Sequence, residues 1–407
     1  MSTHPRLVTP ARSVDDLSQS QLERFQRHLS LHGFGVEAQL SLLDARVLVI
    51  GAGGLGAPIL TYLAAAGVGT IDVVDHDVVD RSNLHRQVIH SEQVIGEPKA
   101  SNAAAVMRGL HPEIVIHEHH EPITAENALE LVRNCDVVVD GSDNFATRYV
   151  VSDACEIAEK PLISGSILRF AGQVSLFWSR PQLPGWDGEL GPTYRDLYPE
   201  APDPGEVPTC AEAGVLGVLP GVVGTLMATE TIKLIAGIGK TLLGRVLVYD
   251  ALTATFREMA LARDPQREPV TTIGADVASS SDAEPSKEEA LRINPFTGAP
   301  FAEDEVTPRE AAAALREGRA AGVLDVREGW EHSMGHLDGA QNLPLSAIRQ
   351  GLTEVPGLAE ATEERPLYVH CKAGVRSREA VDTILRAHPE APIRSIIGPY
   401  TEVRDAL

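Results

Sequence analysis

Two hydrophobic periods alternate along the chain. Residues 46–50 and 71–75 are short β-branched runs, and residues 58–66 between them carry helical spacing that stops at Gly67. Strand, glycine turn, helix and strand make a βαβ unit, which requires a parallel sheet with a right-handed crossover. The alternation continues through a helix over 100–110, a strand over 114–117, a helix over 125–133 and a strand over 136–140. Strands at 161–166, 172–178 and 244–249 follow, the last two expected as antiparallel additions. An N-terminal helix over 18–31 lies ahead of the first strand. The most apolar region, 215–238, contains Pro220, Glu230, Lys233 and several glycines. It predicts a buried core helix and not a membrane span.

Residues 178–208 are rich in Pro, Gly and acids and predict a long surface loop. Residues 264–290, with Ala-Ser-Ser-Ser-Asp-Ala-Glu-Pro-Ser inside, mark the clearest linker. Beyond it, Thr307-Pro308-Arg309-Glu310 combines an N-cap, a proline at the first helical position and a capping-box glutamate. Strands are expected at 323–326 and 367–370. At 407 residues the chain exceeds one ordinary core. The expected division is a first α/β domain at 18–263, a linker at 264–295 and a smaller α/β domain at 296–407.

The formal net charge of −22 argues against a broad nucleic-acid or anionic-membrane surface, both of which draw on clustered Lys and Arg. The four cysteines, Cys135, Cys155, Cys210 and Cys371, are scattered with no CxxC pair. That suits a reducing compartment and suggests neither a disulfide framework nor a cysteine-rich metal site. The N-terminal residues show no apolar signal stretch, so a cytoplasmic location is expected.

Gly51-Ala52-Gly53-Gly54-Leu55-Gly56 follows the first strand. Small residues there let the backbone approach a phosphate at a helix N-terminus. Asp75, about twenty residues on, sits where a carboxylate binds ribose hydroxyls. To this point NAD fits as well as ATP. Arg86 in Ser82-Asn83-Leu84-His85-Arg86-Gln87, with Lys99 beyond it, shifts the balance. Either cation alone reads as a surface salt-bridge partner, but two beside a glycine loop suit a triphosphate. Asp143, at a strand end, is placed to hold Mg²⁺ with the nucleotide.

Taken together, these motifs resemble the ubiquitin-activating-like adenylyltransferases typified by MoeB and ThiF. The likeness runs over about residues 18–262 and rests on residues 51–56, 75–77, 82–87, Lys99, 141–144 with Thr147 and Arg148, and 208–217. It implies a Rossmann-like, mixed but mainly parallel sheet. It also implies a homodimer that uses Mg-ATP to adenylate the C-terminal Gly-Gly carboxylate of a ubiquitin-like sulfur carrier. On that match Gly51, Gly53, Gly54, Gly56, Asp75, Ser82, Asn83, Arg86, Lys99, Asp143 and Asn144 bind the nucleotide. Arg27 resembles an arginine that reaches the phosphates across the dimer. Cys210 falls where many relatives have a cysteine, which forms a transient thioester or disulfide or is simply a small buried residue. The chain departs from the family at one place. Many relatives carry two CxxC pairs for a structural zinc, whereas Thr193 and Asp196 occupy the first pair's positions and no pair follows near 261–269. Such a site needs four thiolates, so no zinc is expected.

The C-terminal region, about 296–407, resembles a single-domain rhodanese. Leu324-Asp325-Val326-Arg327-Glu328, Glu331, Gly335-His336-Leu337-Asp338-Gly339-Ala340 and the loop Cys371-Lys372-Ala373-Gly374-Val375-Arg376-Ser377 carry the likeness. A cysteine at a helix N-terminus beside Arg376 suits a thiolate, and Lys372, Ala373, Gly374, Val375, Arg376 and Ser377 would cradle a persulfide. Cysteine-dependent phosphatases place five residues before the arginine, whereas four stand between Cys371 and Arg376. The tighter loop favours sulfur. Asp325 and Arg327 read as a structural salt bridge.

The expected activity is adenylation of a carrier carboxylate followed by sulfur transfer from a Cys371 persulfide, giving a thiocarboxylate. A cysteine desulfurase is a candidate sulfur donor. Asp143, Arg86, Cys210 and Cys371 are the expected catalytic groups. A non-catalytic scaffold for ubiquitin-like proteins and an NAD-dependent oxidoreductase with a redox-sensing tail are the alternatives. Molybdopterin, thiamin and cysteine synthesis and tRNA thiolation are all open as pathways.

Overall fold

The computed structural model describes residues 4–186, 188–201, 214–274, 301–302, 304–351, 354–372 and 374–407. They form two compact units, one up to residue 274 and one from residue 301.

The first unit contains helices α1 (Gln19–Leu29), α2 (Gly35–Asp44), α3 (Gly56–Ala66), α4 (Lys99–Leu110), α5 (Ala128–Arg133), α6 (Phe145–Ile157), α7 (Tyr194–Leu197) and α8 (Leu219–Ala236). Its strands are β1 (Arg46–Ile50), β2 (Thr70–Val74), β3 (Val115–His119), β4 (Val137–Asp140), β5 (Leu162–Leu168), β6 (Ala171–Phe177), β7 (Arg245–Asp250) and β8 (Thr255–Ala260). They make one sheet in the order β3-β2-β1-β4-β5-β6-β7-β8. The first five are parallel and the last three antiparallel. Strand order reverses beside β1, so a crevice opens between the ends of β1 and β4, where ligands of open α/β sheets sit.

The central strands are buried on both faces, as alternation along β1 records. Val47 and Val49 join a core with Leu60, Leu63, Met107, Val223 and Met227, while Leu48 and Ile50 join Val138, Tyr149 and Ala154 on the other side. Local signals bound the helices. The Ser18 hydroxyl accepts from Gln21 N–H and the Gln21 side chain accepts from Ser18 N–H, which starts α1. Gly67 stops α3. Among the described residues, α8 alone is long and apolar enough to cross a membrane, but it is mostly buried and packs on α2, α3, β5 and β6.

Two features differ from expectation. Strand β8 has no counterpart in the sequence pattern because every one of its residues is exposed, so no in–out alternation marks it. The stretch 178–208 is not all surface loop, since residues 191–195 are buried. Trp178 N–H donates to Pro192 O at 3.0 Å, and the Tyr194 ring meets Tyr149 and Phe177 edge-on at 5.3 and 5.8 Å.

In the second unit β9 (Glu305–Val306), β10 (Gly322–Asp325), β11 (Gln341–Asn342), β12 (Leu367–His370) and β13 (Ile393–Ile396) form a parallel sheet, ordered β11-β10-β12-β13-β9. Around it lie α9 (Pro308–Arg316), α10 (Gly329–Met334), α11 (Leu345–Arg349), α12 (Val375–Ala387) and α13 (Tyr400–Ala406). The Thr307 capping box forms as the sequence indicates. Central β12 again alternates, Val369 facing one core and Tyr368 the other.

Candidate functional sites

The glycine loop lies at the crevice between β1 and β4. Gly51 turns there with φ +88°, and its N–H donates to Val74 O at 2.8 Å. A Cβ at Gly56 would stand 2.0 Å from Gly51 O, so the first turn of α3 seats on the loop only because residue 56 has no side chain. A Cβ at Gly51 would meet Gly141 O at 3.3 Å, which brings the loop against the segment after β4.

Polar side chains fix the loop from below. Asp75 Oδ2 accepts from Ala52 N–H at 2.8 Å, and its Oδ1 accepts from Asp77 N–H at 2.9 Å. His90 was not singled out from sequence. Buried, it bridges Ala52 O (2.9 Å) to Asn102 Oδ1 (2.7 Å) and so ties the loop to α4. Its partners lie 38 and 12 residues away, and no local pattern marks it. Gln87 is buried beneath Gly53. Gln87 Oε1, Asp140 Oδ2 and Ser142 Oγ are buried with no hydrogen-bond partner among the described residues.

The cations rest on internal partners. Lys99 is nearly buried at the start of α4 and pairs with Asp77 Oδ2 at 2.7 Å, while Asp77 itself is exposed. Arg86 donates to Asn83 Oδ1 at 2.8 Å and to Ser82 O at 3.1 Å. Asn144 caps α6, accepting from Thr147 N–H at 2.8 Å, and Asp143 is exposed beside it. Hydrogen bonds and close packing thus bring Gly51, Gly56, Asp75 and Gly141 together. Arg27 stands exposed on α1 and takes part in none of these bonds. Cys210 lies outside the described residues.

Cys371 follows central β12, and α12 starts four residues on. Cys371 is buried, at 2% exposure, and its Sγ accepts from Gly374 N–H at 3.0 Å. Gly374 holds φ +115°, which aims that N–H inward. Sγ also lies 3.7 Å from Ser377 Oγ, whose hydroxyl is anchored to Gly374 O and Ile396 O. Arg376 is engaged by a carboxylate. Its guanidinium makes a two-pronged pair with Glu331 at 2.6 and 2.8 Å. Lys372 is exposed, and Ala373 lies outside the described residues.

Below this loop the expected Asp325–Arg327 pair is present, two-pronged and fully buried. Asp325 also bonds His332 Nδ1 at 2.9 Å, and Arg327 stacks on Tyr400 at 4.1 Å. Burial alone would raise the Asp325 pKa, but hydrogen bonds from Arg327 and His332 bring it down to about 2. Burial pushes His370, next to the cysteine, down to about 4, so it is neutral near pH 7. The other described cysteines are Cys135 and Cys155. Burial pushes the Cys135 thiol up to about 12 and raises Cys155 as well, so neither is a ready nucleophile.

Comparison with known proteins places both halves. The ThiF family matches residues 25–270 and the rhodanese-like domain matches residues 307–406. The chain is 45% identical over 393 residues to the probable adenylyltransferase/sulfurtransferase MoeZ of Mycobacterium tuberculosis, covering 95% of this chain and 93% of that protein. It is 50% identical over 249 residues to the sulfur carrier protein adenylyltransferase of Thermus thermophilus, covering 61% of this chain and 90% of that protein. In fold alone it resembles the crystal structure of E. coli MccB with MccA-N7isoASN, with a TM-score of 0.52 at 22% identity over 61% of this chain and 75% of that one. With the glycine loop at the strand-order reversal and the cysteine loop after the second sheet's central strand, the chain belongs to the ThiF family and carries a rhodanese-like domain after its ThiF region.

Proposed function

We propose that the protein uses ATP to adenylate the C-terminal carboxylate of a ubiquitin-like sulfur carrier ending in Gly-Gly, and then delivers sulfur to it from Cys371. One observation carries the reading. A single chain holds a glycine loop with two cations on exchangeable partners, and also a buried cysteine whose sulfur accepts a backbone N–H.

The residues fit a nucleotide. The loop's small residues open the N-terminus of α3, and Gln87, Asp140 and Ser142 leave polar atoms unpartnered beside it. Asp143 is the group we assign to a Mg²⁺ ion, which would neutralise phosphate charge. Lys99 and Arg86 would trade Asp77 and Asn83 for phosphate oxygens, stabilising charge as it develops. Asp75 holds the loop and takes the ribose. Arg27 is assigned to the partner subunit's site in a homodimer.

The carrier carboxylate oxygen attacks the α-phosphorus, and the bond to pyrophosphate breaks. Alignment and charge neutralisation carry this step, with no covalent base needed. Cys371, loaded as a persulfide by a donor such as a cysteine desulfurase, then attacks the acyl carbon with its outer sulfur, and AMP leaves. Gly374 N–H stabilises the sulfur anion. Cys210 thiolate attacks the Cys371 sulfur of the acyl disulfide and releases the thiocarboxylate. The resulting Cys210–Cys371 disulfide is returned to two thiols by an external dithiol.

Carrier-dependent ATP–pyrophosphate exchange tests the first half. Exchange is expected with a Gly-Gly carrier and lost in Asp143→Ala. ATP binding without exchange, across the organism's own carriers, would leave the chain a binding scaffold with a separate sulfurtransferase.

A further inference from the structure

Where many relatives place a structural zinc, this chain places charges. The Asp196 side chain is fully buried, and its carboxylate accepts from the Thr193 hydroxyl at 3.3 Å and from four N–H donors. Thr193 N–H lies at 2.7 Å, Asp264 N–H at 3.0 Å, and Arg267 Nε and Nη2 at 2.9 and 3.3 Å. Arg267 also reaches back to buried Glu156 on α6, at 3.0 and 3.2 Å. The guanidinium therefore stands between two carboxylates from two elements. Beside it Arg195 makes a two-pronged pair with buried Asp153, at 2.7 and 2.9 Å, and Asp153 also accepts from Gly274 N–H at 3.0 Å. Of the two stretches joined, 193–196 holds the first pair's positions and 264–267 lies within the 261–269 stretch where no second pair follows.

This donor set does not suit zinc. A closed zinc site takes thiolates and imidazoles. The Thr193 hydroxyl is turned onto Asp196, and both Asp196 oxygens are filled by N–H groups. A metal ion would have to expel Arg267. Burial would raise the Asp196 pKa, but Arg267 and the backbone N–H groups hold it below the ordinary carboxylate range, so the clasp stays charged at neutral pH.

We propose that Arg267 is a built-in cation replacing the metal. The Asp196–Arg267–Glu156 clasp fastens residues 263–274 onto α6 and α7, and the adenylating unit is held together without zinc. The clasp carries the packed part of that unit past its last strand, through residue 274 among the described residues.

The test is amide hydrogen exchange of residues 263–274 in the full chain, with metal content measured on the same sample. Zinc is expected far below one ion per chain, and a chelator is expected to leave exchange unchanged. Arg267→Met removes the cation that Asp196 and Glu156 share and is expected to speed exchange of this segment at least about tenfold. Asp196→Asn keeps the shape and removes one charge, so it reads the clasp even if Arg267→Met does not fold. Its expected change is smaller but in the same direction. Thiosulfate:cyanide sulfurtransferase activity is expected to hold in both variants, showing an intact second unit. Stoichiometric zinc whose removal loosens 263–274 would overturn the proposal. So would exchange as slow as wild type in Asp196→Asn together with a folded Arg267→Met.

Discussion

The two candidate sites share a plan and differ in how they treat negative charge. Each is a loop between a central parallel strand and the helix that follows it. The loop after β1 is a floor of glycines, with Lys99 paired to Asp77 and Arg86 to Asn83, partners that a phosphate would replace on the function proposed above. The loop after β12 buries its reactive atom, gives it one backbone N–H, and ties its own cation to Glu331. Placement at a sheet's carboxyl end is common to both, while the source of positive potential is not. A triphosphate needs mobile full charges; one sulfur anion is served by a fixed dipole.

The largest effect that separates the sites is expected from Cys371→Ser. Thiocarboxylate formation should vanish while carrier-dependent pyrophosphate exchange stays within about twofold, because removing one thiol leaves the other site's charges intact. If exchange fell with it, the two sites would not be independent, and the contrast would fail. Next comes Lys99→Met, expected to lower exchange by about 10²–10³-fold, the usual cost of losing one transition-state charge contact. Rhodanese activity is the control. An equal loss in both activities would mark Lys99 as structural.

Acid should then distinguish the units by stability. His370 is held neutral, with its pKa moved by burial from 6.5 to about 4. The unfolded chain therefore takes up that proton first. The stabilisation is complete above about pH 6.5 and is lost as pH falls toward 4, a loss of roughly 3 kcal/mol. Asp325, lowered from 3.8 to about 2, adds a further loss only below about pH 3.8. Hydrogen exchange in β10 and β12 should accelerate between pH 6.5 and 4.5 by more than the intrinsic rate change accounts for. A flat corrected profile would mean that His370 is protonated in the native state.

What was legible in the sequence was local. The βαβ unit, the Thr307 capping box and the Gly67 stop rest on residues within a few positions of one another, and each forms. The glycine loop and the cysteine loop are local too, so their places were readable. What was missed is long-range. His90 finds Ala52 38 residues away, and Arg376 finds Glu331 45 residues away. The buried 191–195 segment depends on Tyr149, Asp153 and Pro192's bond to Trp178, none of which a loop-like composition announces. Edge strand β8 has no buried face to give it a period.

The smallest effect probes the long-range contact that sets the cysteine loop apart. In the resting protein Glu331 neutralises Arg376, and both side chains are partly shielded from water. Burial would raise the Glu331 pKa, but Arg376 holds it below its ordinary value, so the pair is charged at neutral pH. Glu331→Gln keeps an acceptor for the guanidinium and removes the opposing charge. The Arg376 charge then acts on Cys371 without cancellation and favours the sulfur anion. Alkylation of Cys371 at fixed pH should quicken by about threefold, the scale of a partly screened ion pair, with adenylation unchanged. Slower alkylation would instead mean that Glu331 serves mainly to hold the loop's shape. Arg376 would then be a strut, and Gly374 N–H would remain the group that serves the sulfur directly.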